Sequence, residues 1–338
     1  MTLPLPITDW TDLPVLVTGA GGFIGSHLAE ELARRGARVR AFVRYNSRGS
    51  AGWLDETAEV LRRRMTIHAG DVRDADFVRR AAKGTVAIFH LAALIGIPYS
   101  YDAPLSYLRT NAEGTLNILE AARAFGVQRI VQVSTSEVYG TARTVPISED
   151  HPQTAQSPYA ASKIGADRLA QSYWLSFGTP VVIARPFNTF GPRQSARAVI
   201  PAIMAQLLSG ERIVRLGNLE PTRDMNPVRN TVEGMIACAE GPEAALGEVF
   251  NLGSGHEISI GQLARKIAEA AGVEAKVIRD EERIRPATSE VERLLADSSK
   301  AARVLGWTPK RTLEEGLAET VEWMRGHLHI YRPGEYAV

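Results

Sequence analysis

Four side chains, Thr135, Glu137, Tyr159 and Lys163, have the types and spacings of an acid-base set. In "SPYAASKIGADRL", Tyr159 and Lys163 stand four residues apart on an expected helix, which places both on one face. A tyrosine ordinarily ionises near pH ~10, too high to serve as a base at neutral pH. A neighbouring ammonium favours the phenolate and is expected to lower that value. Upstream, "VSTSEVYG" puts a carboxylate, Glu137, two residues beyond a hydroxyl, Thr135, at the end of an apolar run. Along an extended segment residues i and i+2 point the same way, so Thr135 and Glu137 are expected to face one substrate. The set could orient a hydroxyl, move its proton and remove a second proton by general-base action. An ordinary amphipathic face also yields a tyrosine and a lysine at this spacing, so the pair draws its weight from what precedes it.

What precedes it is "VLVTGAGGFIGSHL", in which Gly19, Gly22 and Gly25 follow an apolar run and open an amphipathic helix. Glycines there let the backbone turn tightly and approach a pyrophosphate, whose charge meets the exposed N–H groups of the helix mouth; Phe23 and Ile24 lie in the same turn. A dinucleotide is therefore expected. The next strand, "ARVRAFVRYNSRG", has Val43 where an acid would hold the 2′-hydroxyl of an NAD ribose. Arg44 follows, with Arg48 nearby, and cations there suit the 2′-phosphate of NADP; the competing reading is two solvated loop arginines. The expectation is NAD(P), with a lean to NADP. Asp71 and Val72 of "AGDVRD" border the adenine, Leu91, Ala92 and Ala93 of "FHLAA" lie beside the cofactor, and Pro186 joins them; His90 reads as structural.

The elements that must position these residues alternate. Short β-branched runs ("PVLVTGA", "ARVRAFV", "MTIHAGD", "VAIFHLAA", "RIVQVSTSE", "PVVIARP") are separated by helical patterns, including "WLDETAEVLRRR", 104–125 and 158–174. This predicts an α/β protein with a Rossmann-type, doubly wound parallel sheet. After Arg185 the alternation loosens, so the expected division is a dinucleotide-binding domain over 1–185 and a smaller mixed α/β substrate lobe over 186–338, with some segments returning to the first domain. A formal net charge of +1 supplies no basic field for nucleic acid. The single cysteine, Cys238, cannot form an intrachain disulfide and reads as a buried thiol. The first residues lack a secretory pattern and no window approaches a membrane span, so a cytoplasmic protein is expected. No metal site is expected.

The runs "TGAGGFIG", "STSEVYG" and "YAASK" together resemble the extended short-chain dehydrogenase/reductase family of nucleotide-sugar enzymes, nearly end to end. "IPYSYDAPLSYLRTN" and "IARPFNTFGPRQSARAVIP" are most similar to bacterial nucleotide-sugar 4,6-dehydratases, especially those acting on GDP-N-acetylglucosamine, and more distantly to GDP-mannose 4,6-dehydratases. The resemblance implies that Thr135 binds the sugar 4-hydroxyl, Tyr159 takes its proton while hydride passes from C4 to the nicotinamide, and Glu137 removes the proton at C5. The 6-hydroxyl then leaves as water and the hydride returns at C6. It also implies diphosphate contacts at Asn188, Arg223 and Arg285, with Arg193 a further candidate, and a sugar pocket bordered by Pro98 and Tyr99. Ser136 stands where dTDP-glucose dehydratases carry an aspartate, which leaves open whether Glu137 or a water protonates the departing hydroxyl. "NPVRNTV" departs from the usual "VDD" run and puts any carry-over at Arg229 and Asn230 in doubt. The helices at 104–125 and 158–174 resemble a pair that forms a dimer interface, implying a homodimer.

Other readings stay open: a 4-epimerase, which needs no base at C5; a UDP-glucuronate decarboxylase, which shares the "TSE" run; and, from other classes, a structural scaffold or a non-catalytic NAD(P)-binding regulator. An inactive regulator would be expected to lose one of the four acid-base residues, and all four are present.

Overall fold

The computed structural model describes residues 6–280 and 292–331. Seven strands form one parallel sheet: β1 (Pro14–Thr18), β2 (Arg38–Arg44), β3 (Met65–Gly70), β4 (Ala87–His90), β5 (Arg129–Val133), β6 (Val181–Pro186) and β7 (Val249–Leu252). Their order across the sheet is β7-β6-β5-β4-β1-β2-β3. The strands are short and β-branched because both faces are covered, and β4 and β5 are buried at every position. Side chains alternate between the faces. Val15 and Val17 pack with Leu28 and Leu32 of α1 (Phe23–Arg34). Leu16 points the other way, into a layer with Ile118 of α2 (Gly114–Phe125) and Ala170 of α3 (Pro158–Phe177).

The chain order and the spatial order part company after residue 186. Strand β7 pairs with β6, Val249 opposite Ile183. The helix Val228–Glu240 buries Val232, Met235, Ile236 and Cys238 in the layer that contains α1. Cys238 is a free, buried thiol whose pKa is pushed up by burial. The remaining chain builds a second core, in which Ile203, Leu263, Ile267, Leu317 and Met324 come from the helices Val199–Leu208, Ile260–Ala271 and Leu313–His327. Among the described residues three small sheets accompany it: Thr189–Phe190 beside Asn226–Pro227, Ile213–Leu216 beside Lys276–Arg279, and Thr222–Asp224 between Glu257–Ser259 and Arg293–Leu294.

Three local expectations differ. "WLDETAEVLRRR" forms a 3₁₀ turn, Gly52–Glu56, and a single helical turn, Glu59–Arg62, separated by an extended Thr57 whose hydroxyl donates to Glu30 (2.8 Å). The tertiary hydrogen bond holds Thr57 out of helical geometry. The expected helix over 104–125 is a one-turn helix at Pro104–Tyr107, a π-helical turn at Leu108–Glu113 and then α2. Such widened turns concentrate at functional sites, and this one carries Asn111. The third concerns the run after β5. It leaves the strand at Val133 and becomes a 3₁₀ turn, Ser136–Tyr139, so the strand alternation invoked for Thr135 and Glu137 does not apply.

Among the described residues, no helix is long and apolar enough to cross a membrane, and no group of three or more histidine, cysteine or acidic residues is arranged to hold a metal.

Candidate active site

Strands β1 and β4 are neighbours, with Thr18 opposite His90, and the chain leaves them toward opposite faces of the sheet. This is the switch point at which an open parallel sheet leaves a crevice beyond its strand ends. A groove of about 2480 Å³ starts there and continues into the second lobe. Thr18 pins its floor: its hydroxyl accepts from the Leu91 and Ala92 amides (3.1 Å each) and bonds His90 Nδ1 (2.7 Å). His90 Nε2 meets the Thr115 hydroxyl (3.1 Å), and burial pushes the imidazole pKa down to about 3, so it is neutral at physiological pH and has a structural place.

The glycine turn is built for a ligand to approach the backbone. Gly19 has φ 68°, and a Cβ on it would stand 2.9 Å from the Ala92 nitrogen. A Cβ at Gly25 would lie 2.2 Å from the Gly19 carbonyl oxygen, so α1 packs against the turn only because that position has no side chain. Gly22 caps α1 with no side-chain hydrogen bond and no acid in the first turn, which leaves the helix mouth open to an anion. Gly19, Gly22, Phe23, Ile24 and Gly25 all line the groove. The cradle fits the pyrophosphate of a dinucleotide.

Further along, Arg44, Asp71 and Val72 line the expected adenosine end. Arg44 is exposed at the tip of β2. The following loop is closed by Asn46, whose side chain donates to Ser50 O (2.8 Å) and accepts from the Arg48 and Ser50 amides. Hydrogen bonds from Arg73 hold the Asp71 carboxyl below its ordinary pKa, with Arg44 contributing to the same field. Leu91, Ala92, Ala93 and Pro186 line the part between the glycine turn and the acid-base residues.

Thr135, Ser136, Glu137, Tyr159 and Lys163 share one wall of the groove. Thr135 caps the 3₁₀ turn, its hydroxyl accepting from the Glu137 amide (3.2 Å) and bonding the Tyr159 phenol. The cap, rather than strand alternation, brings Thr135 and Glu137 to the same place. Lys163 is 4 % exposed and donates from Nζ to the Val133 carbonyl (2.6 Å). Its pKa is lowered to about 8 by burial, against which the charge of Asp167 acts. Tyr159 corrects an expectation. Its pKa is raised, foremost by burial; the Thr135 hydrogen bond opposes this and the Glu137 charge adds to it. Desolvation, not the neighbouring ammonium, decides the direction.

On the substrate side, Pro98, Tyr99, Asn188 and Arg223 line the groove. Asn188 Nδ2 is buried and makes no hydrogen bond among the described residues. Arg193 does not line the groove: its guanidinium donates to Ser26 (3.1 Å) and Glu30 (2.9 Å) on α1, a tie that holds the lobe connection to the first domain. Arg285 lies outside the described residues. Arg229 is held by Glu319, and Asn230 by the backbone of Lys310 and Arg311, so both serve packing. Three further residues, two of them lining the groove, escaped the sequence reading. Asn111 stands behind the groove and clamps the lining residue Leu94 through both the Leu94 amide N–H (2.9 Å) and carbonyl (3.0 Å). Arg197 and Arg215 also line the groove, with no signal beyond their charge.

With this geometry in place, comparison with known proteins is decisive. The family model for GDP-mannose 4,6 dehydratase matches residues 16–320. The chain belongs to this family of nucleotide-sugar enzymes, within the extended short-chain dehydrogenases/reductases. It is 35% identical over 321 residues to a dTDP-glucose 4,6-dehydratase of Streptomyces griseus, covering 94% of this chain and 96% of that protein. A UDP-glucose 4-epimerase of Mycolicibacterium smegmatis is 37% identical over 92% of this chain and 98% of its own length. Among solved structures, a dTDP-glucose 4,6-dehydratase variant from Streptomyces venezuelae with NAD bound superposes with a TM-score of 0.82 at 30% identity, covering 94% of this chain and 98% of that one. The NAD of that structure is the class of ligand that the glycine turn described above fits.

The glycine turn supplies a direct test. Gly25→Ala is expected to displace the turn and weaken NAD(P)H more than about tenfold, a loss of ~1.4 kcal/mol. Fluorescence titration of the reduced dinucleotide measures it; an unchanged affinity would show that the turn does not carry the pyrophosphate.

Proposed function

We propose that this protein is a nucleotide-sugar 4,6-dehydratase, converting a nucleoside-diphosphate hexose to its 4-keto-6-deoxy product. The observation that carries the reading is the carboxylate: Glu137 lies in the same groove wall as the Thr135–Tyr159 pair and its charge acts on the Tyr159 phenol. Both dehydration and 4-epimerisation oxidise C4, but only dehydration requires a base at C5. An epimerase would leave Glu137 without work.

In this reading Thr135 orients the sugar 4-hydroxyl and Tyr159 receives its proton, with Lys163 supplying positive charge beside the pair. A bound nicotinamide supplies the hydride acceptor for C4 and the donor for C6, and its positive ring opposes the effect of burial on the phenol. The C4 ketone acidifies the C5 proton, which Glu137 removes as the C6–O bond breaks. The departing hydroxyl takes up a proton and leaves as water; C5 is reprotonated as hydride returns to C6. Oxidation and reduction cancel, so the cofactor is regenerated in each turnover.

The second lobe holds the nucleotide diphosphate through Arg223 and Asn188, whose buried donor is suited to a phosphate oxygen. The substrate we propose is GDP-N-acetylglucosamine, on the resemblance of "RPFNTFGPRQSARAVIP" to enzymes acting on it. The proposed cofactor form is NADP, held by Arg44 at the end of β2, where no acid is present to bind a free ribose. Arg44→Ala is expected to weaken NADP about tenfold or more while changing NAD little, read from the two dissociation constants; equal effects would assign the arginine to solvent.

We further propose a homodimer formed through α2 and α3, around which Leu105, Leu108, Leu175 and Phe177 are exposed. Light scattering should give twice the chain mass, and a monomeric mass defeats the proposal.

The central experiment is Glu137→Gln, which keeps the shape and removes the base. The variant should bind sugar nucleotide and oxidise C4, while water loss falls by ~10² to 10⁴-fold and solvent deuterium no longer enters at C5. Mass spectrometry distinguishes the oxidised hexose from the dehydrated product. Dehydration at a near-normal rate would remove Glu137 from the chemistry and the dehydratase reading with it.

A further inference from the structure

One buried charged residue beside the acid-base pair has no place in the chemistry above. Asp167 follows Lys163 by one turn of α3, is fully buried and does not line the groove. Its Oδ2 accepts from the Ser134 hydroxyl (2.8 Å) and from Arg185 Nε (3.2 Å) and Nη2 (2.9 Å). Arg185 in turn donates to the Tyr139 hydroxyl (2.9 Å) and lies over that ring at 5.0 Å, and Tyr139 donates to Asn251 (2.8 Å). One carboxylate therefore joins α3, the end of β5, β6, the 3₁₀ turn and β7.

Ser134 is the telling partner. Its two neighbours in the chain are the residues that hold the acid-base pair: Val133, whose carbonyl accepts from Lys163, and Thr135, which bonds Tyr159. The Ser134 amide is fixed to the Ala184 carbonyl (2.7 Å), and among the described residues its side chain is fixed by Asp167 alone. We propose that Asp167 is a positioning residue of this active site: through Ser134 it sets the strand end on which both Lys163 and Tyr159 are hung.

Two further facts bear on the role. A buried ion pair such as Asp167–Arg185 adds little stability over apolar residues of the same volume, so stability alone does not account for it. Asp167 Oδ1 is buried with no hydrogen-bond partner among the described residues, and so acts on its surroundings through its charge. The groups that face Lys163 are Asp167, one turn on along its own helix, and neutral His90 from β4, with Tyr159 one turn before it on α3. Asp167 is the one that favours the ammonium against burial.

The proposal rests on Tyr159 and Lys163 acting at C4, a step that dehydration and 4-epimerisation share. Wild-type protein that loses no water from GDP-N-acetylglucosamine but epimerises UDP-glucose would refute the dehydratase reading and leave this one to be measured on the epimerisation. Ser134→Ala cuts only the link to Asp167 and leaves the ion pair whole. It should lower kcat by up to ~10²-fold with KM for the sugar nucleotide unchanged, as expected when a reacting group is displaced without loss of binding. Asp167→Asn should also move the titration of Lys163, followed by NMR of its ε-carbon in the full-length protein, about one unit lower, because an opposite charge is withdrawn. The alkaline limb of the pH–rate profile should move the same way. A Ser134→Ala enzyme with wild-type kcat overturns the proposal, whether or not Asp167→Asn folds. So does a folded Asp167→Asn protein whose Lys163 titration is unchanged.

Discussion

The structure depends on the pairing of β1 with β4, whose chains depart to opposite faces of one parallel sheet. Parallel strands need crossovers, and a change in crossover direction leaves a gap that no helix covers. Into this gap open the bare N–H groups of α1, while the end of β5 delivers Thr135 and Glu137 a short distance away. Thr18 and His90 lock the two strands side by side at the floor, which is why a buried, neutral histidine belongs there.

Burial then governs the electrostatics. Lys163 and Tyr159 are both removed from water, and desolvation moves each toward its neutral form: the lysine down and the tyrosine up. A dry site strengthens every interaction that favours charge. The Thr135 hydrogen bond and the Asp167 field both act in that direction, and a cationic cofactor ring would do the same. Acid-base chemistry at neutral pH thus comes from a balance of opposed effects, not from the tyrosine–lysine spacing by itself.

The sheet was readable because strands buried on both faces form unbroken β-branched runs, and the glycine turn because its spacing has one steric purpose. The glycine turn and the Tyr159–Lys163 pair, each read from local spacing, line the groove. Arg193 does not: as a charge in a suggestive loop it looked available, yet Glu30 and Ser26, far earlier in the chain, occupy it. Asn111 was passed over for the opposite reason, since its significance comes from the Leu94 backbone that it clamps across a widened helical turn.

The sequence by itself determined the fold class and the glycine turn and singled out four candidate acid-base residues, because each is written in local spacing: a period of two or of 3.6, or glycines where a Cβ would collide. Tertiary structure alone decided how those residues are held and charged. Thr135 and Glu137 converge through a capped 3₁₀ turn rather than an extended strand. Strand β7 returns from the second half of the chain to complete the sheet. The direction of the Tyr159 shift was set by burial, a property of everything packed around it, and the Asp167–Ser134 link joins residues 33 positions apart. Contacts between distant segments and the desolvation they produce have no local signature, so only the folded chain could reveal them.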